Sequence, residues 1–239
     1  MRRREFLVAG STAAALTSTN IFAIEPFSIG MSEFSDVNRL TPPSDGPIRV
    51  AFAISRGATM IDFAGPWEVF QDVMIRNGGN MRHPFSLYTV SDKTEAIEAS
   101  GGMKIIPDHT FETAPAPKVV VIPAQAGSSA LHAWLRKIVD STDVTMSVCT
   151  GAFQLGRAGL LSGKEATTHH DFFDQFARAF PDVKLKRGLR FVEGPKISTA
   201  GGLTSGIDLA LRVVERYFGR ETAEQTAFYM EYQSKGWVV

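Results

Sequence analysis

The sequence predicts a doubly wound, mostly parallel α/β sheet flanked by helices, with a nucleophile elbow after a central strand. Three observations predict it. From Ile48 onward, segments of strand and helix character alternate, the pattern of a parallel sheet covered on both faces. Val119-Val120-Val121-Ile122 is an unbroken β-branched run, as expected of a central strand buried on both sides. A second apolar run, Val144 to Val148, is followed at once by Cys149 and a helical segment.

Taken in order, Ile48 to Ile54 reads as the first strand. Gly65-Pro66 then punctuates the chain. Trp67, Val69, Phe70 and Val73 give the next segment a helical face, with Pro66 suited to a first helical turn. Phe85 to Val90 reads as a strand and Lys104-Ile105-Ile106 as a shorter one. After Val119 to Ile122, a crossover helix is expected over Ala130 to Val139, with Leu131, Trp134, Leu135 and Ile138 at i, i+3, i+4 and i+7. Val144 to Val148 is a strand, Gly151 to Leu160 a helix, Lys196 to Thr199 a strand and Leu209 to Phe218 a helix. Ligands in such folds bind beyond the carboxyl ends of the strands. The loops after Ile122 and Val148 lie there, and the second of them carries Cys149.

With 239 residues, 44% of them hydrophobic and 21% charged, the chain has enough apolar material for one good-sized core without a disulfide or metal staple. A formal net charge of zero argues against a nucleic-acid binder held by phosphate contacts. No run approaches the ~20 apolar residues of a membrane span. The N-terminus differs in character. Arg2-Arg3-Arg4-Glu5-Phe6-Leu7 precedes small and apolar residues up to Ala23, and Arg3-Arg4-x-Phe6-Leu7 looks like a twin-arginine export signal. Residues 1–23 are therefore read as the signal, 24–47 as a linker or extended arm, and the protein as periplasmic, with no membrane contact after signal removal.

A lone cysteine cannot form an internal disulfide, and in an oxidising compartment an exposed one is a liability unless used. At a strand-to-helix junction, Cys149 is expected to stand exposed, with the free N–H groups of the new helix lowering its pKa. Ala124, Gln125 and Gly127, at the neighbouring strand end, are candidate oxyanion donors. The competing reading is an inert core thiol.

Ser147-Val148-Cys149-Thr150-Gly151-Ala152, then Leu155-Gly156-x-Ala158-Gly159-Leu160-Leu161-x-Gly163 and Ala166-Thr167-Thr168-His169, resembles the core signature of the ThiJ/PfpI family. Asp62-Phe63-Ala64-Gly65-Pro66-x-Glu68-Val69-Phe70 resembles its acidic segment, and Thr199 to Asp208 its closing strand-helix motif. The resemblance covers residues 48–239 as one domain of the class I glutamine amidotransferase-like fold. In the peptidase-like branch a histidine follows the nucleophile, whereas here Thr150 does, which argues against proteolysis. Asp62, Cys-Thr-Gly and Ala-Thr-Thr-His are similar to the isocyanide hydratase branch. The same features occur in ligand-sensing domains of AraC-type regulators, which carry a helix-turn-helix domain after this module. The chain stops at Val239 without room for one, so no nucleic-acid partner is expected.

The resemblance implies that Cys149 attacks a small organic isocyanide and that Asp62 serves as acid and base, giving an N-substituted formamide with no cofactor. It also implies a homodimer. Glyoxalase- or deglycase-like chemistry on small aldehydes, and a non-catalytic ligand-binding or redox-sensing module, are the alternatives. Asp62 could instead be a plain helix-start residue. Thr150 either bonds substrate or caps the helix. His169 either faces the pocket as a donor or has no part in it. His169-His170 with Asp171 and Asp174 are not read as metal ligands, because neighbouring histidines on a regular element point apart. Asp208 is read as support for the first turn of the last helix. Gly201-Gly202 lacks the spacing of a dinucleotide loop. Phe63, Trp67 and Phe70 are read as core.

Overall fold

The computed structural model describes residues 38–239. The proposed signal, 1–23, and most of the proposed arm lie outside the described residues. The strands of the main sheet are β1 (Ile48–Ala53), β2 (Phe85–Ser91), β3 (His109–Thr110), β4 (Val119–Ile122), β5 (Val144–Ser147), β6 (Phe191–Val192) and β7 (Ile197–Ala200). They lie in the order β6-β7-β5-β4-β1-β2-β3. Every neighbouring pair is parallel except β6 with β7. β4 occupies the middle of the sheet and is buried along its whole length, as its unbroken apolar run requires.

The helices are α1 (Met60–Asp72), α2 (Ser129–Ile138), α3 (Ala152–Arg157), α4 (Phe173–Ala179), α5 (Ser205–Phe218) and α6 (Arg220–Tyr229). Strand alternation divides the interior into two layers. Val50, Phe52, Val119, Val121 and Met146 pack with Val69 and Phe70 of α1, Leu209 and Val213 of α5, and Ala223 of α6. On the opposite face Ala51, Ala53, Val120 and Ile122 pack with Leu131 and Leu135 of α2, Leu155 of α3 and Phe176 of α4. The doubly wound α/β architecture expected from the sequence is thus present.

Two expectations are corrected. α1 begins at Met60, six residues before Pro66, so the proline sits inside the helix and Asp62 in its first turn. Pro66 has no N–H to offer the carbonyl of Asp62. The helix tolerates this because Pro66 is buried against α5, where Gly206 lies close to its ring. Asp208 serves α5, which is not the last helix. It is fully buried and pairs with Arg190, while Tyr232 Oη and Ser234 Oγ each donate to its other oxygen at 3.1 Å. It therefore ties the C-terminal residues to α5. Upstream of β1, Asn38 and Leu40 are held on the domain, with Leu40 N donating to the Arg216 carbonyl at 2.9 Å and Arg216 Nε to that of Asn38 at 2.7 Å.

Candidate functional site

The carboxyl ends of β4, β5 and β7 meet the first turn of α1, and Cys149 sits at their junction. β5 ends at Ser147, and Cys149 opens a 3-10 turn over Cys149–Gly151 that runs into α3. Its φ is 58°, left-handed, which costs a residue with a β-carbon roughly 1–2 kcal/mol. The surrounding structure holds it there. Cys149 N donates to the Gly201 carbonyl at 2.7 Å, and the Cys149 carbonyl accepts from buried Thr168 Oγ1 at 2.9 Å. Gly151 brings the turn onto the end of β4, since a β-carbon at this position would lie 2.2 Å from the Ile122 carbonyl oxygen. This is the strained elbow by which a nucleophile is presented at a sheet's end.

The thiol differs from expectation in exposure and acidity. Cys149 is 7% exposed, and its pKa is pushed up to about 11. Burial is the main cause and the negative charge of Asp62 the next. The N–H groups of Thr150 and Leu203 act on the sulfur in the expected downward direction, but they do not offset the other two. At neutral pH the site therefore rests as a thiol.

Asp62 is fully buried at the start of α1. Its Oδ2 accepts from Ala124 N at 3.0 Å, and its Oδ1 is buried without an ordinary hydrogen-bond donor. The Cys149 thiol is the side chain coupled to this carboxyl. Burial pushes the Asp62 pKa up to about 7, with the Ala124 N–H and the thiol opposing the rise. A carboxyl poised near neutrality beside a protonated thiol can take the proton as sulfur attacks and return it afterwards.

The remaining candidates divide. Ala124 is in the site, but its N–H holds Asp62 and is not free for an oxyanion. Gly127 N donates to Ser55 Oγ at 2.9 Å, so it too is committed. Gln125 Nε2 donates to the Ala53 carbonyl at 2.8 Å, turning that side chain into the strand ends. The Ala124 and Gly127 N–H groups and the Gln125 side chain thus buttress the site, because β4 runs into a loop that must satisfy its own polar groups. Thr150 supplies a backbone N–H to the sulfur, and its hydroxyl caps no helix. His169 packs on Gly202, where a β-carbon would lie 2.4 Å from its Cδ2. It therefore borders the 201–203 turn that carries the Leu203 N–H.

Sequence reasoning missed three residues. Leu203, at φ 51°, brings its N–H to the sulfur, and the preceding Gly201-Gly202 was the available signal for such a tight turn. Thr168 clamps the elbow. Gln154, 1% exposed, donates to the Gln125 carbonyl at 3.0 Å and pairs with His132 Nε2 at 2.8 Å, fixing the loop that presents Ala124 to Asp62. Thr168→Val removes a buried hydroxyl donor from the strained residue. It is expected to cost about 1–3 kcal/mol in denaturant unfolding. A variant within about 0.3 kcal/mol of the parent would show that the clamp contributes nothing.

Comparison with known proteins agrees with this geometry. The DJ-1/PfpI family pattern matches residues 48–216. The isonitrile hydratase of Pseudomonas putida is 28% identical over 191 residues, covering 77% of this chain and 78% of that protein. The HTH-type transcriptional regulator CdhR of Pseudomonas aeruginosa is 34% identical over 137 residues, covering 55% of this chain but only 40% of the regulator. Among solved structures, a ThiJ/PfpI family protein from Pseudomonas syringae superposes with a TM-score of 0.68 at 25% identity, covering 87% of this chain and 84% of that one. DJ-1beta of Drosophila melanogaster superposes at 0.67 and 18% identity, over 79% of this chain and all of its own. A pattern match over most of the chain, with the elbow cysteine and its acidic partner in place, has one conclusion: this protein belongs to the DJ-1/PfpI family.

Proposed function

We propose that the protein hydrates small organic isocyanides to N-substituted formamides, with Cys149 as nucleophile and Asp62 as acid and base. The observation that carries this reading is the buried pair itself, a protonated thiol coupled to a carboxyl whose pKa is pushed up to about 7. An isocyanide accepts both nucleophile and proton at one carbon. The Cys149 sulfur bonds to that carbon while its proton passes to Asp62, which delivers it to the same carbon to give a thioimidate. Asp62, again a carboxylate, then takes a proton from water as the oxygen adds to the carbon and passes that proton to nitrogen. The tetrahedral adduct collapses, the carbon–sulfur bond breaks, and the hydroxyl proton returns through Asp62 to sulfur. Atoms balance as isocyanide plus water giving formamide, and no step calls for a cofactor. The P. putida relative supports the substrate class.

The test is incubation of the purified protein with cyclohexyl isocyanide and quantification of N-cyclohexylformamide. Turnover that survives Cys149→Ala would refute the assignment. The pH profile follows from Asp62. Its carboxylate form must accept the thiol proton, so kcat/KM is expected to rise about tenfold per pH unit below pH 7 and level off above it. A profile rising only above pH 9 would instead make free thiolate the reactive species and remove the role of Asp62.

A second reading has its own support. The chain matches transcriptional regulators over 31–49% of their lengths, which favours a ligand-binding module of the same fold. Stoichiometric isocyanide or aldehyde binding without turnover would establish it, and methylglyoxal consumption without isocyanide turnover would favour aldehyde chemistry. Export through residues 1–23 and a homodimeric assembly complete the proposal. Periplasmic fractionation and light scattering test them.

A further inference from the structure

The elbow is not the only place where reactive side chains gather. Among the described residues, His169, His170 and Asp171 form the one group of three potential metal donors whose ligand atoms all lie within 4.8 Å of one another. The expectation that adjacent histidines on a regular element diverge does not apply to this pair, because His169 is extended (φ −60°, ψ 136°) at the cap of a 3-10 turn that starts at His170. The change of backbone conformation between the two residues brings their rings onto one side, stacked at 4.4 Å between centroids and 23° between planes, and the exposed His170 ring must turn out of this stack to aim its in-plane lone pair at an ion shared with His169.

The Asp171 carboxylate then faces both rings. Its Oδ1 lies 3.2 Å from His170 Nε2 and its Oδ2 3.7 Å from His169 Nδ1. Donors bound tetrahedrally to zinc at ~2.0–2.1 Å stand ~3.3–3.4 Å apart, and here one ligand atom from each residue lies within 4.8 Å of the other two, so modest side-chain rotation draws the three onto one ion. Two imidazole nitrogens and one carboxylate form a donor set suited to borderline transition ions rather than to Mg2+ or Ca2+, which take oxygen. Binding would exchange the 3.2 Å hydrogen bond from Asp171 N to His169 Nδ1 for a metal bond. His170 and Asp171 are 75% and 69% exposed at their side chains, leaving an approach for the ion and room for water as a fourth ligand.

We propose that His169, His170 and Asp171 bind one divalent transition-metal ion of the Zn2+ type at the turn beside the Cys149 elbow. The inference rests on this turn alone and is independent of the isocyanide reading.

Untagged protein titrated with Zn2+ in a calorimeter is expected to bind one ion per chain, and Co2+ to develop visible absorption bands of a low-symmetry site. His170→Ala and Asp171→Asn, both at exposed positions, are each expected to weaken Zn2+ binding by more than about tenfold, the loss that even an outer-shell partner can carry. Cys149→Ser should leave it unchanged. Absence of saturable binding would overturn the proposal. So would unchanged affinity in His170→Ala, or loss of binding in Cys149→Ser, which would place the ion on sulfur.

Discussion

Asp62→Asn is expected to lose at least about a thousandfold in isocyanide turnover and yet to be more stable than the parent at pH 7 and above. The activity loss follows from removal of the group that moves every proton in the cycle, a role commonly worth 10²–10⁴-fold. The stability gain follows from linkage. Burial raises the Asp62 carboxyl from its ordinary value of 3.8 to about 7. Below pH ~4 the carboxyl is protonated whether the chain is folded or not, and it contributes no pH-dependent term. As pH rises toward 7 the unfolded chain ionises while the folded one keeps its proton, so the unfolded state is favoured progressively, and the penalty levels off above pH 7. At 1.36 kcal/mol per pH unit, the rise corresponds to a penalty of about 4 kcal/mol. Asparagine is close in shape, can accept from Ala124 N–H through its amide oxygen, and carries no titration. The melting-temperature difference between variant and parent should therefore be small at pH 4 and grow to several degrees by pH 8. A difference independent of pH would mean that the carboxyl is not the strained group. Such an opposition between stability and function is expected where a charge is buried to be used.

The architecture was legible because its signals are local and redundant. The Val119 to Ile122 run could hardly be anything but a central strand, and the 3.6-residue repeat of Leu131, Trp134, Leu135 and Ile138 marked α2 to within a residue at either end. α6 was missed because its pattern is inverted. It buries the small residues Ala223, Thr226 and Ala227 and leaves Phe228 and Tyr229 86% and 71% exposed. Hydrophobic periodicity finds no core-facing stripe in such a helix. Cys149 and Asp62 were legible as a pair through the resemblance, but the acidity of the thiol was not. Its sign depends on whether helix amides or burial dominates, and burial depends on groups distant in the sequence, Asp62 and Leu203 among them. The backbone donors could not be placed either. Ala124 and Gly127 had N–H groups in the right loop, but only the fold shows them spent on Asp62 and Ser55.

Gly151→Ala is expected to cost about 3 kcal/mol or more, and the reason lies in how the elbow is built. By intrinsic preference the change should help, since position 151 is helical (φ −54°, ψ −27°) and alanine is favoured over glycine there by about 1 kcal/mol. Packing reverses the sign. The added methyl would lie 2.2 Å from the Ile122 carbonyl oxygen and 2.9 Å from that of Pro123. Both obstacles are backbone atoms at the end of the central strand, so no rotamer change can relieve the clash. Either the elbow lifts or β4 shifts, and overpacking of this kind commonly costs 1–3 kcal/mol even where side chains can give way. β4 leads through Pro123 into Ala124, whose N–H fixes Asp62, so a lifted elbow also separates the thiol from its carboxyl. The same variant should therefore lower the denaturation midpoint and, in conditions where it remains folded, lower kcat by more than it raises KM. Parental stability in Gly151→Ala would mean that the elbow does not rest on β4. The close approach that brings Cys149 to Asp62 would then have to come from the Gly201 and Thr168 contacts alone.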